Sequence, residues 1–151
     1  MIKDTGFMVL GLENNEFHDT IIVTVAEYIQ ENPFKQICIF NNVSDKSSLF
    51  NVPLLHTSQA RFFDGDLVVF DLLSLMIALN FPGKENVYYY AQDFPWVGHH
   101  NAYKVWKDLM LRDNLRIIAN SQQCYDIYNL CWKTPIGISE DFTYDKVSKV
   151  L

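Results

Sequence analysis

Glycine is scarce in this chain and poorly placed for a nucleotide loop. Of the six glycines, Gly6 and Gly11 bracket an apolar run instead of forming Gly-x-Gly-x-x-Gly, and no Walker A pattern occurs. Nicotinamide dehydrogenases and P-loop enzymes are thereby disfavoured. Basic residues are also in short supply. The 12 Lys and Arg against 18 Asp and Glu leave a formal charge of −6, which argues against a protein held to nucleic acid by its overall field. No apolar run reaches the roughly 18 residues that cross a bilayer. The opening Met-Ile-Lys-Asp-Thr-Gly-Phe-Met-Val-Leu has too short an apolar part, preceded by an acid, for a signal peptide. The expectation is an internal, cytoplasmic protein. The three cysteines, Cys38, Cys124 and Cys131, are odd in number and none are at zinc spacing. They read as buried reduced thiols, and no metal site is expected. No internal repeat, low-complexity tract or linker breaks the chain.

What is present suits one compact domain over residues 1–151. The length supports a real core, and 49% hydrophobic with 20% charged residues is an ordinary globular balance. Breakers divide the chain into short alternating elements. Strands are expected at Gly6–Gly11, Gln36–Asn41, Asn51–Thr57, Asp66–Asp71, Asn86–Gln92 and Leu115–Asn120. Helices are expected at His18–Asn32, Leu72–Asn80, His100–Arg112 and from the N-cap Ser121 to about Leu130. In the first helix Ile21, Ile22, Val25, Ala26 and Ile29 share a face. In the third, Val105, Trp106, Leu109 and Met110 point to the core. Thr134–Ile138 is a last extended piece before an amphipathic tail. Strands that are apolar throughout are buried on both faces, and strand–helix alternation with short loops builds a mostly parallel sheet with helices on both sides. The expected fold is a single Rossmann-like α/β three-layer sandwich with about six strands.

The most informative stretch is Asn86–Trp96, Asn-Val-Tyr-Tyr-Tyr-Ala-Gln-Asp-Phe-Pro-Trp. Its β-branched and aromatic residues suit a buried strand, which ends on Asp93 just before the breaker Pro95. Polar groups at the carboxyl end of such a strand lie where α/β sheets bind ligands. Asp93 is the candidate general base, since a carboxylate within hydrogen-bond reach of a hydroxyl can take its proton; capping the loop is the plainer role. Gln92 is a candidate to orient the ligand, and Trp96 either stacks on a sugar or base or fills the core. His99 and His100 adjoin a helix start, whose positive end lowers a histidine pKa and leaves a neutral ring. His18 opens the first helix beside the loop holding Glu13, Asn14 and Asn15. His56 reads as core or edge structure. Asn120 and Ser121 precede a helix whose N-terminus suits an anion, with simple capping as the alternative. Asp71, ending the fourth strand, is a further candidate for the same edge.

Three segments resemble the N-terminal domain of GT-B-fold glycosyltransferases, the rhamnosyltransferase-like members in particular. Val87–Phe94 is similar to a strand and loop written Tyr-x-x-Gln-Asp-[Phe/Tyr]. Arg116–Ser121 (Arg-Ile-Ile-Ala-Asn-Ser) resembles the following strand. Thr134–Phe142 (Thr-Pro-Ile-Gly-Ile-Ser-Glu-Asp-Phe) resembles the interdomain Pro-x-Gly-[Ile/Val]-Asp…Phe segment, with Ser139 where the family has Asp. A fainter likeness is to phage DNA glucosyltransferases, which place an acid after a Tyr-rich strand. The resemblance implies an acceptor-side half that transfers sugar from a nucleotide-sugar co-substrate to a hydroxyl, with no other cofactor. In it Asp93 is catalytic and Gln92, Trp96, His99, His18, Asn120 and Ser121 bind substrate. Because the family's donor-binding domain follows the third segment, the implied partner is a donor-binding subunit or a second copy of the chain. The acceptor is not specified, and nucleic acid stays open only through the fainter likeness. The competing expectation is a non-catalytic binding or regulatory module that reuses the fold.

Overall fold

The computed structural model describes residues 3–42, 51–98 and 100–151. Its centre is one parallel sheet of seven strands. In chain order these are β1 (Thr5–Met8), β2 (Ile37–Asn41), β3 (Leu54–His56), β4 (Asp66–Val69), β5 (Val87–Ala91), β6 (Leu115–Ala119) and β7 (Gly137–Ile138). The helices are α1 (Glu16–Glu31), α2 (Leu72–Leu79), α3 (Tyr103–Met110), α4 (Gln122–Cys131) and α5 (Tyr144–Val147). The spatial order is β3-β2-β1-β4-β5-β6-β7. The chain builds outward from β1 in one direction, then crosses back to place β4 on the other side of β1. Thr5 pairs with both Ile37 and Asp66, and Met8 with both Phe40 and Val69. This is the doubly wound Rossmann-like layout, one strand richer than expected, because the short extended piece after α4 docks on β6 as β7.

Strand alternation assigns each face its cover. Phe7, Ile39, Val68, Tyr90 and Ile118 point to the side covered by α1 and α5, where they meet Ile21, Val25, Tyr28, Phe142 and Val147. Met8, Phe40, Val69, Tyr89 and Ile117 point to the opposite side, against Leu75, Ala78, Trp106, Met110, Cys124 and Tyr128 of α2, α3 and α4. α1 is helical despite its β-branched run because Ile21, Ile22, Thr24 and Val25 of that run are buried, with Val23 exposed, and Asn15 caps it, with the Asn15 Oδ1 accepting from the His18 N–H at 2.8 Å. The same cap starts the helix two residues before the expected His18.

Some expectations change. Val105 is 43% exposed. It lies one residue, about 100° of helix rotation, before the buried Trp106, and α3 is only Tyr103–Met110, with a 3-10 turn at His100–Ala102 before it. Cys131 is exposed where Cys38 and Cys124 are buried, since it ends α4 beyond the buried face formed by Cys124 and Tyr128. His56 ends the edge strand β3, and its ring Nδ1 accepts from the Ser58 N–H at 3.2 Å.

Phe142 locks the tail to the sheet. It is fully buried and meets Phe7, Phe70 and Tyr90, the last two at ring-centroid distances of 4.8 and 4.7 Å. Reaching that place puts Asp141 and Phe142 at φ 61° and 45°, in the left-handed region that non-glycine residues seldom enter. The Thr24 hydroxyl donates to the Phe142 carbonyl at 2.7 Å. Phe142→Ala is expected to lower unfolding free energy by about 3–5 kcal/mol in urea titrations. Leu130→Ala, at a side chain 85% exposed, is expected to stay within about 0.5 kcal/mol.

Candidate functional site

Because both faces of the sheet are covered, polar side chains collect where strands end. At the carboxyl ends of β5 and β6 the chain passes into Gln92–Asp93 and Asn120–Ser121. Backbone and side chains knit these ends together. The Asn120 N–H donates to the Ala91 carbonyl at 3.1 Å, and its Nδ2 donates to the Gln92 carbonyl at 3.4 Å. The Ser121 hydroxyl donates to Asn120 Oδ1 at 3.1 Å and accepts the Cys124 N–H at 3.2 Å, closing the N-terminus of α4. From beneath, the Tyr128 hydroxyl donates to the Asp93 carbonyl at 3.2 Å. The loop is held through its main chain, which leaves the side chains of Gln92 and Asp93 exposed. Among the described residues, none bonds or pairs with the Asp93 carboxylate.

Other candidates take different places. Trp96 is half-buried in an aromatic cage, with Phe94, Trp106, Tyr128 and Trp132 at centroid distances of 5.8, 6.0, 4.8 and 5.6 Å. Most of its ring is engaged in packing. His18 Nδ1 accepts from the Glu13 N–H at 2.9 Å, which places the ring proton on Nε2 in the neutral form, and Asn15 Nδ2 lies 3.2 Å away. The ring orders the loop after β1. Asp71 caps α2, its carboxylate accepting from the Ser74 N–H at 2.8 Å and hydroxyl at 2.6 Å. His99 lies outside the described residues. Gln92, Asp93, Asn120 and Ser121 are thus brought together by contacts. His18 occupies the same edge of the sheet at the end of β1, and no contact joins it to Asp93.

The point where strand order reverses, between β1 and β4, carries aromatic rings. Phe17 of α1 lies 5.7 Å from Phe70 and 6.1 Å from Tyr90, and the Tyr90 hydroxyl donates to the Ser139 carbonyl at 2.8 Å. Phe142 adds its ring from the α5 side. Sequence reasoning did not single out Phe17, Phe70 or Tyr128 as parts of the edge. For Tyr128 a signal existed: it sits four residues after Cys124, on the same helix face. A broad groove between α1 and α5 is lined by Glu16, Asp19, Glu27, Glu31 and Asp145; it too was not anticipated. Among the described residues no cluster of His, Cys, Asp and Glu suits a metal ion, and no helix is long and apolar enough to cross a membrane.

Fold and edge define a doubly wound parallel α/β domain with a polar carboxyl-end loop. No family model, curated protein or solved structure matches the chain.

Buried tyrosines and a buried cysteine of the core resist ionisation. Burial raises the Tyr89 and Tyr128 hydroxyls well above the ordinary phenol, pushes Tyr90 up to about 12, and pushes the Cys38 thiol up to about 12. These groups stay protonated in the folded chain while the unfolded chain loses its protons near the ordinary values of 10.0 for the phenols and 9.0 for the thiol. Above those values the folded state binds more protons, so stability falls as pH rises. Urea midpoints are expected to be level from about pH 7 to 8.5 and to drop steadily above about pH 9.5. In Tyr89→Phe that drop is expected to be shallower. An equal slope in wild type and variant contradicts this assignment.

Proposed function

We propose that this domain is the acceptor-side half of a sugar-transfer enzyme, with Asp93 as the base that takes the proton from the attacking hydroxyl. The observation that carries the reading is an exposed carboxylate at the carboxyl end of a buried parallel strand, on a loop fixed by Tyr128 and Asn120. A base must be placed by rigid neighbours yet keep its oxygens available. Gln92, exposed beside it, offers both a donor and an acceptor to a hydroxyl-bearing ligand. In this reading the nucleotide-sugar donor is held by another domain, a partner subunit or a second copy of the chain, and the two halves close over the loop. Transfer with a single base mildly favours inversion at the sugar carbon.

A second reading, a binding or regulatory module without catalysis, is favoured by one observation. The rings of Phe17, Phe70, Tyr90 and Phe142 occupy the point where strand order reverses, the usual ligand crevice of such sheets.

The two readings part on Asp93→Asn. Purification of the native assembly, identification of its chains by mass spectrometry, and transfer assays with labelled nucleotide sugars come first. Under the catalytic reading Asp93→Asn lowers the transfer rate by about 10²–10⁴-fold. Stability is expected to change by less than about 0.5 kcal/mol, because among the described residues none bonds or pairs with the carboxylate. An unchanged rate in the variant, or an assembly with no nucleotide-sugar-binding chain and no transfer, leaves the module reading as the account.

A further inference from the structure

An apolar cavity of about 360 Å³ lies at the other end of the sheet from Asp93, beside the amino end of β2 where β3 has not yet begun. Ile29 of α1 walls it on one face of the sheet, Cys38 and Phe63 on the other, and Leu55 comes from the edge strand. The volume is within the range of pockets that hold small ligands or a few side chains.

The strand ladder is incomplete beside this cavity. Along β2 the even-numbered residues bond to β1: the Thr5 and Val9 N–H groups donate to the Gln36 and Phe40 carbonyls at 3.0 and 2.9 Å. The odd-numbered residues turn the other way, and the Ile39 N–H donates to the Pro53 carbonyl at 2.9 Å. Ile37 therefore turns both its N–H and its C=O to the β3 side, and there the ladder stops. The residue in register to donate to the Ile37 carbonyl is Pro53, which has no N–H. The residue in register to accept from the Ile37 N–H is Asn51, whose φ of 54° takes the chain out of an extended course. Among the described residues no group bonds to the Ile37 N–H or C=O. Backbone groups of a buried strand are paired as a rule, so this open rung marks a place for a partner.

Lys35 adds a charge. It lines the same cavity two residues before the open rung, and among the described residues no carboxylate forms an ion pair with it.

We propose that the cavity docks the carboxyl-terminal residues of a partner polypeptide that ends on an apolar side chain. An extended peptide unit offers the C=O and N–H that complete the Ile37 rung, its apolar side chain packs against Ile29, Leu55 and Phe63, and its terminal carboxylate meets the Lys35 ammonium. A simple apolar carboxylate satisfies Lys35 but leaves the Ile37 carbonyl without a donor, which is costly. The site is independent of Asp93 and of the sugar-transfer reading, because it opens at the amino ends of the strands and leaves the carboxyl-end loop clear.

The test is an NMR titration of the full chain with acetyl-Val-Leu bearing a free carboxylate, with its primary amide, with the acid methylated on the leucine nitrogen, and with hexanoate. The free acid is expected to shift the amides of Ile37, Cys38 and Leu55 and to leave those of Gln92 and Asp93 in place. The primary amide is expected to bind about tenfold more weakly, the worth of a hydrogen bond to a charged group. The methylated acid and hexanoate are expected to lose about fivefold or more against the free acid. Lys35→Met keeps the apolar stem and is expected to abolish the difference between acid and primary amide. The proposal is overturned if millimolar free acid leaves the Ile37 and Cys38 amides unmoved, if acid and amide bind the wild-type chain equally, or if hexanoate binds as tightly as the peptide.

Discussion

The parallel pairing of β4 beside β1 is the contact on which the rest of the sheet depends. β1 is short, Thr5–Met8, yet it bonds on both edges, to β2 through Ile37–Phe40 and to β4 through Asp66–Val69. With β1 central, each outward step of the chain needs a crossover, and right-handed crossovers in opposite directions carry helices to opposite faces. That is why α1 covers one face while α2, α3 and α4 cover the other. It is also why the polar side chains of the strand segments gather at the strand ends, since unpaired polar groups between the layers are costly.

The carboxyl-end loop follows from the same constraint. Its main chain is held by Asn120 and Tyr128, and its aromatic members Phe94 and Trp96 face inward against α3 and α4. Gln92 and Asp93 are left to face outward, at the strand end of the loop. Rigidity beneath and availability above come from one packing arrangement. Exposed acids, Glu13, Asp93, Glu140 and Asp141, follow the ends of β1, β5 and β7, and side chains cap α1, α2 and α4 while α3, with Lys104 in its first turn, has no side-chain cap.

Most of the fold was legible in the sequence, in identifiable places. The uninterrupted apolar runs of β2, β4, β5 and β6 announced burial on both faces, and Ser121 announced the start of α4. The strand-ending pairs Gln92–Asp93 and Asn120–Ser121 were legible for the same reason: a polar residue directly after an apolar run marks a sheet edge. Less legible were residues whose surroundings come from distant parts of the chain. Val105 looked like core by composition, but neighbouring helix positions had already filled the space. Cys131 looked like Cys124, yet lies past the end of the packed face. Trp96 was placed in the correct loop, while its burial depended on Trp106, Tyr128 and Trp132 arriving from two other helices.

By itself the sequence determined the alternation of elements, the burial of both sheet faces and the polar residues that end the strands, because hydrophobic period and capping chemistry act over a few residues. Tertiary structure decided the strand order, the docking of Gly137–Ile138 as a seventh strand, the aromatic cage around Trp96 and the left-handed turn that seats Phe142. Those depend on which elements become neighbours, and sheet pairing and ring packing join residues tens of positions apart, where no local pattern reaches.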